Sequence, residues 1–148
     1  MARSAEIVVE PASLIRAATG GTTGRLSLRL GETWVPDRQW QDFPLVALGW
    51  WLGELVRPLS ALGSSARCRF MEGPFAFRVV RNAGGWFVAL VEGNREQPEV
   101  QVDGEALVRS MSEAAKRLLA ECDRRGWADT DIDTLRVANE TVIGYRTV

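Results

Sequence analysis

An α+β domain is the fold class this sequence predicts, and three observations predict it. Through the first two thirds of the chain, apolar residues recur at every second position, as they do in strands. One continuous apolar segment, Phe43 to Val56, breaks that rhythm, and from Asp103 onward the apolar spacing is helical. Strands with one helix inserted, then helices, describe an antiparallel β-meander of about five to six strands with helices packed on one face, a two-layer sandwich. At 148 residues, 46% hydrophobic and 25% charged, the chain has the size and composition of a single domain, residues 1–148.

Ile7 to Val9 is a short β-branched run, and Leu26, Leu28 and Leu30 alternate with Arg25, Ser27 and Arg29 as in a half-buried strand. The preceding Gly20-Gly21-Thr22-Thr23-Gly24 lacks a following Gly-Lys-Ser/Thr and leads into a strand, which predicts a connecting loop and not a phosphate cradle. Asp42 is expected to cap a helix opening at Phe43-Pro44 and ending near Arg57, before Pro58. Phe43, Val46, Ala47, Trp50, Trp51, Leu55 and Val56 cover more than one side of that helix, which predicts burial on most sides, with Trp50 and Trp51 in the core.

Cys68 and Phe70 alternate with Arg67 and Arg69; after Glu72-Gly73-Pro74, Phe75, Phe77 and Val79 alternate with Ala76, Arg78 and Val80. This is a hairpin pattern, extended by strands at Trp86 to Val91 and Glu99 to Val102 into a meander of at least four strands. Asp103 is placed to cap a long helix with the stripe Leu107, Met111, Ala115, Leu118 and Cys122. Gly126 is its natural left-handed stop, with Trp127 packing back near Cys122. Thr130 and Asp133 resemble a capping box for a short helix through Leu135 and Ala138.

The chain has no histidine and a single lysine, Lys116. That removes the commonest general base, the commonest metal ligand and every Ser-His or Cys-His nucleophile arrangement, so a binding protein rather than an enzyme is expected, with no cofactor and no small-molecule substrate. Cys68 and Cys122 each sit inside an apolar pattern and read as small buried hydrophobes. The Phe43 to Val56 run is too short to span a membrane, and Glu6 and Glu10 interrupt any secretory signal, so a cytoplasmic protein without membrane contact is expected.

Charge is uneven. Up to Leu90 there are ten arginines and seven carboxylates, a balance of +3; from Val91 there are eight basic and twelve acidic side chains, a balance of −4. Asp129, Asp131 and Asp133 have the spacing that opens a calcium loop but lack its central glycine and bidentate glutamate; carboxylates at a helix N-terminus are favourable without any metal. Arg67, Arg69 and Arg78, joined by Arg25 and Arg29 if the strands adjoin, form an arginine-bearing sheet face. With a pI near 5.6 this is expected to be a solvated surface and not a nucleic-acid site. Of the six tryptophans, Trp86 is also expected in the core, while Trp34 and Trp40 flank the Pro36-Asp37-Arg38 loop as core residues, lid or interface anchors.

Trp34-Val35-Pro36-Asp37, Trp40-Gln41-Asp42-Phe43 and Leu48-Gly49-Trp50-Trp51, with the later Cys68-Arg69-Phe70-Met71-Glu72-Gly73-Pro74-Phe75 and Arg125-Gly126-Trp127, resemble the immunity proteins of bacterial contact-dependent growth inhibition and other polymorphic toxin systems. The resemblance covers about residues 30 to 130. It implies a protein that binds the toxin domain of its own locus and neutralises it by occlusion, the toxin being a nuclease in the reading adopted. Against the basic cleft of such a toxin the acidic side is the complementary surface, with Glu92, Glu96 and Glu99 from the sheet edge and Asp129, Asp131 and Asp133 from the final turn as candidate contacts. The alternative is an acidic secretion or effector chaperone, which would be an obligate homodimer through a large apolar face.

Overall fold

The structure is a computed structural model and describes residues 2–18 and 20–146. Among these residues, ten strands and three α-helices follow one another. The first sheet is built on the nine-residue strand β3 (Thr22–Leu30), which pairs antiparallel with β1 (Ala5–Val9), β2 (Ile15–Arg16), β4 (Thr33–Val35) and β5 (Gln41–Asp42). Its register places Ile7 opposite Leu28 and Val9 opposite Leu26, so the alternating leucines meet β-branched partners on the buried face. Helix α1 (Pro44–Ser60) then crosses to the second sheet, where β6 (Ser65–Arg69), β7 (Phe75–Asn82), β8 (Gly85–Glu92) and β10 (Val100–Val102) lie in the order β10-β8-β7-β6, with β9 (Arg95–Glu96) folded onto β8. Helices α2 (Gly104–Arg124) and α3 (Thr130–Arg146) close the chain.

The class is α+β, and the four-strand meander of the second half is present as predicted. The first-half strands, however, form a sheet of their own instead of extending that meander. The two sheets touch edge to edge through one parallel bridge at Arg3 and Val102, where the Arg3 amide donates to the Gln101 carbonyl at 2.9 Å. Helix α2 packs on β1 and α1 on β6, while α3 lies over both helices, with the Ser112 hydroxyl bonded to Asn139 at 2.7 Å in the buried α2–α3 contact.

Several local expectations hold in detail. The Asp103 side chain accepts from the Ala106 amide at 3.0 Å, and Leu107, Met111, Ala115, Leu118 and Cys122 are all buried. Gly126 adopts φ 70°, the Trp127 amide returns to the Cys122 carbonyl at 2.9 Å and the Gly126 amide to Asp123 at 3.1 Å, which is a Schellman motif. Both cysteines are free and buried.

Others are corrected. Asp42 does not cap α1; Phe43 holds the cap position, and the Asp42 carboxylate serves a longer-range role described below. The helix runs through Pro58, which withholds an amide from the Glu54 carbonyl one turn back; Arg81 Nη1 donates to the Pro58 and Leu59 carbonyls of the last turn at 3.2 and 3.3 Å, which the helix end leaves without amide partners. Helix α3 is capped by Asp129, whose Oδ1 accepts from the Ile132 amide at 2.9 Å, not by Thr130, and it continues past Ala138 to Arg146. Strand β3 begins at Thr22, inside the expected glycine loop.

The C-terminal end of α2 is tied by Arg125 to the segment leading into β2, and local ion pairs hold that arginine in place. Arg125 donates Nη1 to the Leu14 carbonyl at 2.6 Å and Nε to Glu121 at 2.5 Å, and Arg124 also pairs with Glu121. The Arg124 and Arg125 guanidinium groups pull the Glu121 carboxyl down from the usual 4.5 to about 2. A carboxyl whose folded-state pKa is depressed contributes stability that is complete above its unfolded value and is lost as pH falls through the folded value. Thermal stability is therefore expected to decline between about pH 4.5 and about pH 2 more steeply in the native protein than in Glu121→Gln. Parallel pH profiles of melting temperature for the two proteins would contradict this.

Candidate functional site

Helix α1 buries Leu45, Leu48, Trp51, Leu52 and Leu55 and turns Trp50, Gly53 and Arg57 outward. The 3.6-residue period separates the adjacent tryptophans: Trp51 is 0% exposed, Trp50 58%. The expectation that both lie in the core is therefore corrected for Trp50. Most large apolar side chains here are buried, and Trp50 is the one tryptophan left mostly in solvent among the described residues.

Trp50 stands beside a trough made of two depressions that share Gly49 and Gly53. One, of about 470 Å3, runs to Glu54 and to Arg67 and Arg69 of β6. The other, of about 460 Å3, runs to Asp133, Thr134, Val137 and Ala138 of α3. Val137 is 63% exposed. Nothing lies within 4 Å of where a Cβ on Gly53 would stand, and at Gly49 the nearest neighbour, the Leu135 Cα, would be at an ordinary 3.8 Å. Packing therefore requires neither glycine, and each weakens the helix by about 1 kcal/mol relative to alanine. What they provide is a low floor next to the indole.

The lips of the trough are oppositely charged. Arg67 and Arg69 stand on one side and Asp133 on the other, all exposed, and none of these side chains forms an ion pair among the described residues. Glu54 is occupied differently, accepting from the Arg67 amide at 3.2 Å and pairing with Arg57 at 3.5 Å.

The six acidic candidates divide between two places. Glu92, Glu96 and Glu99 border the second sheet, where Arg78 reaches Glu96 through Nε and Nη2 at 2.8 and 3.1 Å and Glu99 at 2.9 Å. The hydrogen bond from Arg78 holds the Glu96 carboxyl below its ordinary range, and the same pairing raises Arg78. Glu92 stays exposed at the mouth of a cleft of about 490 Å3 whose walls include Trp34, Pro36 and Phe75. At the start of α3, Asp129 is committed to its cap and to an ion pair with Arg16. Burial works to raise its carboxyl, but the Ile132 amide and the Arg16 guanidinium outweigh it and keep it low. Asp131 and Asp133 are exposed on the first turn.

Three of the six are thus internally neutralised, and no hydrogen bond or shared cleft joins the two groups among the described residues. Only Asp133 belongs to the trough. The arginines divide too: Arg67, Arg69 and Arg78 share the outward face of the second sheet, whereas Arg25 and Arg29 belong to the first, gathered with Arg38 around Trp34 at 5.7, 5.5 and 5.5 Å from its ring centroid. Trp40 packs edge-on against Phe75 at 5.3 Å, and Trp86 is half-buried.

Among the described residues, no helix is long and apolar enough to cross a membrane, and no three histidine, cysteine or carboxylate side chains are grouped to hold a metal ion. Comparisons with known protein families, with curated proteins and with solved structures find no match to this chain.

Proposed function

We propose that this protein is an immunity protein that binds a toxin domain in the cytoplasm and neutralises it by occlusion, and that the trough beside Trp50 is the surface that makes the contact. The observation that carries the reading is the 58% exposure of Trp50 over a glycine floor between lips of opposite charge. Tryptophan and arginine are the side chains that most often anchor protein interfaces, because they bury a large area at low entropic cost and form directed polar contacts. A partner fitted to this trough inserts an apolar side chain over Gly53, sets a carboxylate against Arg67 and Arg69, and brings a basic group to Asp133. The last of these suits a nuclease with a basic substrate cleft.

The chaperone alternative is less well supported. An obligate homodimer buries upwards of about 2,000 Å2 through a mainly apolar face. The exposed large hydrophobic residues, Ile15, Trp50, Leu62, Val137 and Tyr145, are scattered, and only Trp50 and Val137 border the trough.

Co-expression with the toxin domain encoded beside this chain is expected to restore growth, with the two proteins co-purifying as a 1:1 complex. Absence of protection and of complex formation would overturn the immunity reading, and a stable homodimer indifferent to the toxin would favour the chaperone.

A further inference from the structure

On another part of the molecule, the C-terminal ends of α1 and α3 and the first turns of α2 enclose a cleft of about 380 Å3 in which Arg81, Arg109 and Arg146 gather around Trp86 and Tyr145. Arg81 is fixed in place: its guanidinium lies 5.4 Å over the Trp86 ring, and Nη1 bonds to the Pro58 and Leu59 carbonyls. Trp86 is fixed in turn by Gly104, where a Cβ would fall 1.9 Å from the indole Cγ, so the ring lies directly on the start of α2. Arg109 and Arg146 are exposed and make no ion pair or side-chain hydrogen bond among the described residues, and Glu105 is the one carboxylate in the lining.

Three guanidinium groups against one carboxylate in the lining make the cleft electropositive through its side chains, a charge that an anion relieves. Planar, multiply donating guanidinium groups pair with carboxylate and phosphate oxygens alike, and three of them around one cleft suit the higher charge of a phosphate. The Tyr145 ring, 43% exposed at the rim, offers a flat face beside them. A concave site of this size accommodates a mononucleotide.

We propose that this cleft binds the phosphate group of a small ligand. Arg81 supplies a preset donor, Arg109 and Arg146 close on the phosphate oxygens, and Tyr145 stacks on a base where one is attached. The proposal is independent of the toxin-binding surface, since the two sites share no lining residue.

The test is calorimetric titration at constant ionic strength with inorganic phosphate, pyrophosphate and adenosine monophosphate, on the native protein and on Arg109→Ala, Arg146→Ala, their double variant and Tyr145→Ala. Saturable binding is expected, weakened about tenfold by loss of either arginine, which corresponds to one charge-assisted hydrogen bond of about 1.4 kcal/mol. Unliganded melting temperatures should stay unchanged, since both arginines are exposed. Tighter binding of the nucleotide than of phosphate, with the gain erased in Tyr145→Ala, identifies a nucleotide as the source; equal affinities identify the free ion. Absence of saturable binding by all three compounds, or native affinity in the double arginine variant, overturns the proposal.

Discussion

Replacing Trp51 by alanine is expected to destabilise the protein by about 3–5 kcal/mol, the usual loss when a large aromatic side chain is removed from a packed interior. Trp51 is fully buried, with its ring edge-to-face against both Phe70 and Phe77 at centroid distances of 5.0 Å, and its Nε1 donates to the Arg69 carbonyl at 2.7 Å. The substitution empties the space between α1 and the second sheet and leaves a carbonyl without its donor. The neighbouring Trp50→Ala change removes a side chain from solvent and is expected to stay within about 0.5 kcal/mol of the native value. Denaturant midpoints at an unchanged slope measure both. Equal losses for the two variants would mean that α1 is rotated from the orientation described.

Asp42 carries the second large effect. Its carboxylate is 1% exposed and accepts four hydrogen bonds: from Trp40 Nε1 at 2.9 Å, the Phe43 amide at 2.7 Å, the Met71 amide at 3.0 Å and the Glu72 amide at 3.2 Å. One buried anion thereby joins the end of the first sheet, the entry to α1 and the turn after β6. Asp42→Ala removes the acceptor and leaves its donors stranded, for an expected loss of about 3–5 kcal/mol. Asp42→Asn keeps the shape but turns a donor toward donors, and is expected to lose about 2 kcal/mol. An Asp42→Ala variant within 1 kcal/mol of native stability would show that water replaces the carboxylate, against the burial described.

The same residues mark how far the sequence alone reads. Asp42 looks like a helix cap because its visible neighbours are Phe43 and Pro44, while the two amides that define its role are 29 and 30 residues away. Trp50 was separable from Trp51 in principle: Trp51 shares a face with Leu48, Leu52 and Leu55, whereas Trp50 shares one with Gly53 and Arg57. Treating the helix as apolar all round hides that division. Alternation identified the second sheet because β7 and β8 are eight residues each, but β4 and β5, at three and two residues, are too short to show a period. Alternation also fixes which face a residue takes, not which strand it joins, so one sheet was expected where there are two. Counting charges found the acidic C-terminal part and missed its neutralisation, since Arg78 meets Glu96 and Glu99 only after β9 folds onto β8. The Schellman end of α2, formed entirely within the stretch Cys122 to Trp127, was legible in full.

The most direct measurement is the affinity of the purified toxin domain for the native protein, for Trp50→Ala and for Gly53→Leu. Loss of a tryptophan anchor corresponds to at least about 2 kcal/mol, so Trp50→Ala is expected to bind at least about thirtyfold more weakly while melting at the native temperature. Gly53→Leu, which fills the trough floor with a better helix former, is expected to melt at the same temperature or higher and still to bind more weakly. Native affinity in both variants would contradict the assignment of the trough as the binding surface.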